Sequence, residues 1–325
     1  MKFHKSCQEG IPENRIRPTH GSTGFYSGAP IPLRGPALSI LSVQGLTKFY
    51  GSTQALQEVN LQVPQGSIFG VLGPNGSGKT TLLGIVLEIL LATRGSFQWA
   101  PGMKRGALLE TPNFYPYLSG RENLAIVAEL RGRGEAGISG ILETVGLDSY
   151  EAMPFAKYSL GMKQRLAIGA TLVGQPEVVV LDEPTNGLDP AGIADVRQLI
   201  RGLRDQGKSV LLASHMLDEV EKVCTHVAIL KKGKVLSQGA LEEVLRDEDR
   251  LEVKSDDLEA LQALLQKHPL QPKLQRGDGL INVVFEAGAL KPADLNRYCL
   301  DGGQALGHLV LRKKTLESRF LELTD

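Results

Sequence analysis

The sequence predicts an α/β fold built on a parallel sheet. Three observations carry this expectation. Two short runs, 178–181 and 209–213, are almost purely aliphatic, the composition of strands buried on both faces. Helix-like segments alternate with them. A glycine-rich loop from Gly73 to Gly78 stands between a strand-like run and a segment of helical periodicity.

Residues 1–37 read as an extension. Prolines and glycines interleave there with no apolar periodicity. Order is expected from Leu38, with strands at 39–43, 55–63 and 67–72 and a helix over 79–91. Further helices are expected at 123–131, 140–145, 164–173 and 194–205, and a hairpin at 226–230 and 234–238 around Lys232-Gly233. After Leu245 the pattern changes. Strands at 251–254, 280–285 and 309–312 and helices at 257–266 and 293–299 form a small α+β appendage. The expected division is thus 1–37, 38–245 and 246–325.

Lys+Arg and Asp+Glu are equal at 36 each, so no global basic field favours a nucleic-acid partner. Cys7, Cys224 and Cys299 lie too far apart for a metal-ligand spacing or a disulfide framework. The longest apolar candidate for a membrane span, 81–93, is interrupted by Glu88 and too short. No apolar stretch follows Lys2 and Lys5 to make a signal peptide. A soluble, cytoplasmic chain is expected, with any channel supplied by another protein.

Two motifs carry chemistry. Gly73-Pro74-Asn75-Gly76-Ser77-Gly78-Lys79-Thr80 fits G-x-x-x-x-G-K-[ST]. Its glycines let backbone N–H groups close around phosphate, and the following helix aims its positive end at that anion. Lys79 is placed to reach the β- and γ-phosphates, Thr80 to ligate Mg²⁺, and Thr81 adjoins them. The second motif is an aliphatic strand ending in Asp182-Glu183. A strand end carries both acids to the sheet edge where ligands of α/β folds bind. Asp182 is suited to hold Mg²⁺ and Glu183 to activate the attacking water, with the division of roles inside the pair open.

At Tyr158-Ser159-Leu160-Gly161-Met162-Lys163-Gln164-Arg165 the chain resembles the ABC signature segment. With the two motifs above, it is similar to the ATPase subunits of ABC transporters over roughly residues 38–245. That resemblance implies a parallel-sheet core with an antiparallel β subdomain and an α-helical subdomain. It assigns Tyr50 to adenine stacking, Asp189 in Gly187-Leu188-Asp189-Pro190 to the D-loop, and His215 to the switch histidine. It also implies a dimer in which Ser159 and Gly161 of one subunit hold the γ-phosphate of ATP in the other's P-loop, beneath a separate membrane-spanning permease. The permease would dock on the helical subdomain near Phe114, Tyr115 and Tyr117.

Leu160 and Met162 depart from the commonest signature, while the phosphate-facing Ser159 and Gly161 are kept. Glu110 stands where the family normally has glutamine. Such a glutamate is similar to ATPases of the bacitracin and lantibiotic self-protection group, as are 113–118 and 121–124. Two readings of Glu110 stand side by side: a catalytic, Mg²⁺-touching or coupling residue, and a drift without substrate meaning. The segment 316–324 resembles the tail of ATPases that serve export-type membrane partners. The alternative functions are a non-transport ABC ATPase acting on an envelope or other macromolecular complex, and a P-loop small-molecule kinase. The signature and D-loop speak against the kinase.

Overall fold

The computed structural model describes residues 38–109, 113–245, 248–277, 279–286, 288–312 and 314–324. The N-terminal extension expected at 1–37 lies outside them. The chain opens with an antiparallel pair, β1 (Ser39–Tyr50) and β2 (Thr53–Pro64), completed by β4 (Arg94–Trp99) in the order β2-β1-β4. Between them come β3 (Ile68–Leu72), which is buried throughout, and α1 (Lys79–Val86).

The helix expected to run to Leu91 ends five residues earlier. The amides of Ile89 and Leu90 both donate to the Gly84 carbonyl, at 2.9 and 3.0 Å, and Glu88 takes φ 64°. The chain doubles back so that Leu90 covers Gly84, where even a Cβ would meet its Cδ1 at 2.8 Å. The apolar residues after Val86 therefore serve a tertiary contact, not a helical face.

The helical subdomain follows β5 (Arg105–Leu108) and comprises α2 (Gly120–Leu130), α3 (Ile138–Thr144) and α4 (Leu160–Leu172). Ser119 starts α2 through a capping box. Its hydroxyl accepts from the Glu122 amide, and Glu122 accepts from the Ser119 amide at 2.7 Å. Ser119 likewise has little exposure, so its polar atoms need those partners.

The chain then returns to the sheet with β6 (Val178–Asp182), α5 (Pro190–Asp205), β7 (Ser209–Ser214), α6 (Leu217–Val223), β8 (His226–Lys231), β9 (Lys234–Ala240) and α7 (Leu241–Leu245). The six-stranded sheet has the order β5-β6-β7-β3-β8-β9, parallel except for the β8–β9 hairpin. Strand alternation divides its core in two. Ile68, Val179, Leu181, Val210 and Leu212 face the cluster made with α2 to α6. Phe69, Val71, Val178, Val180 and Leu211 face the cluster made with α1 and the antiparallel β1–β2 layer.

The last part has its own four-stranded antiparallel sheet, β11-β12-β10-β13, from β10 (Glu248–Lys254), β11 (Lys273–Gly277), β12 (Leu280–Glu286) and β13 (His308–Arg312). Helices α8 (Leu258–Leu265) and α9 (Pro292–Asp301) cover one face over a separate core that includes Leu251, Val253, Leu261, Ile281 and Leu295. The closing helix, α10 (Leu316–Thr324), does not join that core. Leu316, Phe320 and Leu323 pack into the first part's core beside α6.

Ser119→Ala removes the hydroxyl that accepts from the Glu122 amide and leaves the Ser119 amide bond to the Glu122 carboxylate in place. The expected cost is about 1 kcal/mol of stability, seen as a lower urea midpoint with nucleotide affinity unchanged. An unshifted midpoint would mean that α2 is held by packing alone.

Candidate functional site

The strand order brings three chain segments to one edge. Strands β6, β7 and β3 are adjacent and parallel, so the residues that follow them, Asp182-Glu183, Ser214-His215 and Gly73–Gly78, meet at their carboxyl ends. Alternation along β6 points Asp182 to the same face as Val178 and Val180, the face on which α1 packs. There the Thr80 hydroxyl, in the first turn of α1, donates to Asp182 Oδ2 at 2.6 Å.

The loop from Gly73 to Gly78 is shaped by close approaches that only glycine allows. A Cβ on Gly73 would lie 2.1 Å from the Leu230 carbonyl, and one on Gly78, at φ 105°, would lie 2.6 Å from the Ala55 carbonyl. Gly233 supports the loop from outside. Its amide donates to the Ser77 carbonyl at 2.9 Å, and it also abuts Ala55. The sequence reads Gly233 only as a hairpin turn; the signal that it does more is the left-handed pair Lys232-Gly233.

Lys79 is 5% exposed. Its ammonium donates to the Gly73 carbonyl at 2.9 Å and the Pro74 carbonyl at 3.3 Å, and sits 3.2 Å from Glu183 Oε1. The other oxygen of Glu183, Oε2, lies 2.8 Å from His215 Nδ1 and accepts from the His215 amide at 3.3 Å. Lys79, Glu183 and His215 thus form one chain of contacts. Glu183 has φ 48°, a left-handed conformation that costs a non-glycine residue energy and that concentrates at functional sites. It turns the carboxylate out of the β6 alternation toward Lys79 and His215.

Burial pushes the Asp182 carboxyl above the usual carboxylate range. The neighbouring Glu183 charge adds to the rise, against the Thr80 hydrogen bond and the Lys79 charge. Asp182 Oδ1 and Ser77 Oγ are buried with no hydrogen-bond partner. An orphaned carboxylate oxygen beside the Thr80 hydroxyl is a donor set of hard oxygens, which suits Mg²⁺. An orphaned hydroxyl inside the glycine loop suits a phosphate oxygen.

The remaining predicted residues lie elsewhere. Ser159 caps α4, accepting from the Met162 amide at 3.2 Å, and is exposed together with Leu160. Gly161 approaches Gly192 of α5, and Leu160 approaches Gly187, so the signature and D-loop segments of one chain pack on each other. Asp189 caps α5 through the Gly192 amide at 3.0 Å. Tyr50 is half-exposed at the tip of β1 under the Lys48 ammonium. Among the described residues no hydrogen bond or ion pair joins Ser159, Gly161, Asp189 or Tyr50 to the segment from Gly73 to Thr80. Glu110 lies outside the described residues. Phe114 packs edge-on against Phe155, whereas Tyr115 and Tyr117 are 48% and 72% exposed.

A family model described as "ABC transporter" matches residues 56–186. An ABC transporter ATP-binding protein of Bacillus subtilis is 35% identical over 88% of this chain and 95% of its own length. The chain belongs to the ABC transporter ATP-binding proteins. A bacitracin transport ATP-binding protein of Bacillus licheniformis is 34% identical over 88% of this chain and 97% of its own. A lantibiotic transport ATP-binding protein of Streptococcus pyogenes is 36% identical over 61% and 89%. Among solved structures, cbiO1 of Clostridium perfringens, part of an ABC transporter complex, aligns with a TM-score of 0.57 at 28% identity, covering 63% of this chain and 90% of that one. This ABC ATPase binds ATP and works with a membrane permease. Among its described residues no helix is long and apolar enough to cross a membrane.

The raised Asp182 pKa fixes a sign. The folded chain binds this proton more tightly than the unfolded chain, so the group's contribution to stability falls as pH rises through that interval. Asp182→Asn is therefore expected to raise the nucleotide-free melting temperature at neutral pH by on the order of a few degrees. Thermal unfolding checks this; a lower melting temperature would show that Thr80 and Lys79 more than offset the burial.

Proposed function

We propose that this subunit hydrolyses Mg·ATP in a two-subunit sandwich and drives export of a peptide antibiotic or a related compound through its permease. The observation that carries the mechanism is the contact chain Lys79–Glu183–His215. Glu183 there is the counter-ion of a buried ammonium, and a γ-phosphate arriving at Lys79 competes for the same charge. Binding of ATP then frees the Glu183 carboxylate, still oriented by His215, to take the proton of the attacking water. Thr80 and Asp182 would hold Mg²⁺, which supplies positive charge against the phosphate oxygens.

Ser159 and Gly161 complete the pocket of a second copy in this reading. Support comes from their exposure at the start of α4 and from Gly161, where the nearest atom to an added Cβ is 3.8 Å away. Among the described residues nothing demands glycine there, which suits an approach from outside. For Glu110 the two readings given by the sequence stand: a catalytic, Mg²⁺-touching or coupling residue, and a drift without substrate meaning. The exposed Tyr115 and Tyr117 offer amphipathic rings to a permease helix, which would bring the subunit to the inner face of the membrane. Support for the cargo class comes from the bacitracin transport relative, similar over nearly its whole length.

Glu183→Gln should bind ATP, hydrolyse it at least about 100-fold more slowly, and accumulate as an ATP-bound dimer in light scattering of the assembled complex. In cells carrying the permease, wild type should protect against bacitracin and Glu183→Gln should not. Equal susceptibility of the two strains would sink the cargo assignment, and normal turnover would sink the role of Glu183.

Tyr117→Asp should leave ATP affinity unchanged and reduce recovery of the permease on co-purification. Undiminished recovery would remove this face from the docking surface.

A further inference from the structure

The closing helix α10 lies between two parts of the molecule. Its Leu316, Phe320 and Leu323 face the ATPase core. Its Thr315 end, Ser318 and Glu322 face the C-terminal sheet across a cleft of about 160 Å³, whose other wall is Arg250, Val284 and Arg312, with Lys314 at one end. Whole-segment charge hides what gathers here, because Lys+Arg and Asp+Glu balance over residues 250–325.

Arg250 and Arg312 are direct cross-strand partners on β10 and β13. Like charges in that relation destabilise a sheet unless something offsets them. Glu252 answers Arg312 at 3.0 Å, and Glu322 answers Lys314 at 2.5 Å. Arg250, exposed at the rim, has no carboxylate in ion-pair range among the described residues. Lys314 is nine-tenths buried, so its charge is felt at low screening. On the same wall the Thr315 hydroxyl stands 3.4 Å from the Ser318 hydroxyl, which itself donates to the Thr315 carbonyl at 2.8 Å. The amide of Leu316 is already taken by Glu221 of α6, at 2.8 Å, so the helix end itself is not the attraction.

We propose that this cleft is a binding site for a free phosphate-sized oxyanion, held by Arg250, Arg312 and Lys314 with the hydroxyl of Thr315. The guanidinium forks match a tetrahedral oxyanion, and the cleft has room for inorganic phosphate. Because the Leu316 amide is bound to Glu221, an anion here also fixes α10 against α6, the helix that begins two residues after His215.

The test uses the full chain with saturating ADP, so that the glycine loop is filled. Equilibrium dialysis with labelled inorganic phosphate should show one saturable phosphate per chain. Arg250→Gln, a rim substitution, should weaken it about tenfold with ADP affinity unchanged. Hydrogen exchange of the α10 amides should slow with phosphate in wild type and not in Arg250→Gln. No phosphate bound beyond the ADP-filled site, or equal binding by Arg250→Gln, overturns the proposal. Capture by phosphatidylglycerol vesicles without binding of free phosphate overturns it in favour of a lipid headgroup.

Discussion

The ammonium of Lys79 is the charge around which the site is organised. A lysine almost wholly removed from water must be answered, or its burial would cost several kcal/mol. Two carbonyls of its own loop and the Glu183 carboxylate answer it. For those groups to converge, β3 and β6 must end at the same level with only β7 between them, and Gly73 must come into contact with Leu230. The strand order and the loop glycines are thus consequences of placing one cation, and Glu183 is held in a left-handed conformation to reach it.

The loop and the acid pair were legible in sequence because their chemistry is local. Gly73 to Thr80 and Asp182-Glu183 sit on contiguous residues next to unmistakable aliphatic strands. The link between Glu183 and His215 was not legible as a contact, since it depends on β6 and β7 being neighbours. Gly233 was invisible as a support of the loop for the same reason: its partner Ser77 is far away in sequence.

Elements were missed where tertiary contacts override pattern. Strands β4 and β5 are short and carry polar residues at the sheet edges. The short helix α6 lies in a segment rich in charge, where no apolar stripe announces it. Its charges are used laterally: Glu219 pairs with Arg197 of α5 and Glu221 caps α10. Conversely, the apolar run after Val86 promised a longer helix than the fold-back over Gly84 allows. The capping residues Ser119, Ser159 and Asp189 show the limit of motif reading from the other side. Each is a sound helix start by itself, so structural need and proposed chemistry coincide at Ser159 and Asp189.

The burial of Leu316 has a consequence for synthesis. This residue is fully enclosed in the same core cluster as Ile68 and Leu72 of β3, although the ribosome makes it roughly 250 residues later. While the intervening strands emerge, the side of the ATPase core beside α6 stays uncovered. A nascent chain therefore carries an apolar surface that, among the described residues, its distal helix covers, and a chain terminated before residue 316 lacks that cover.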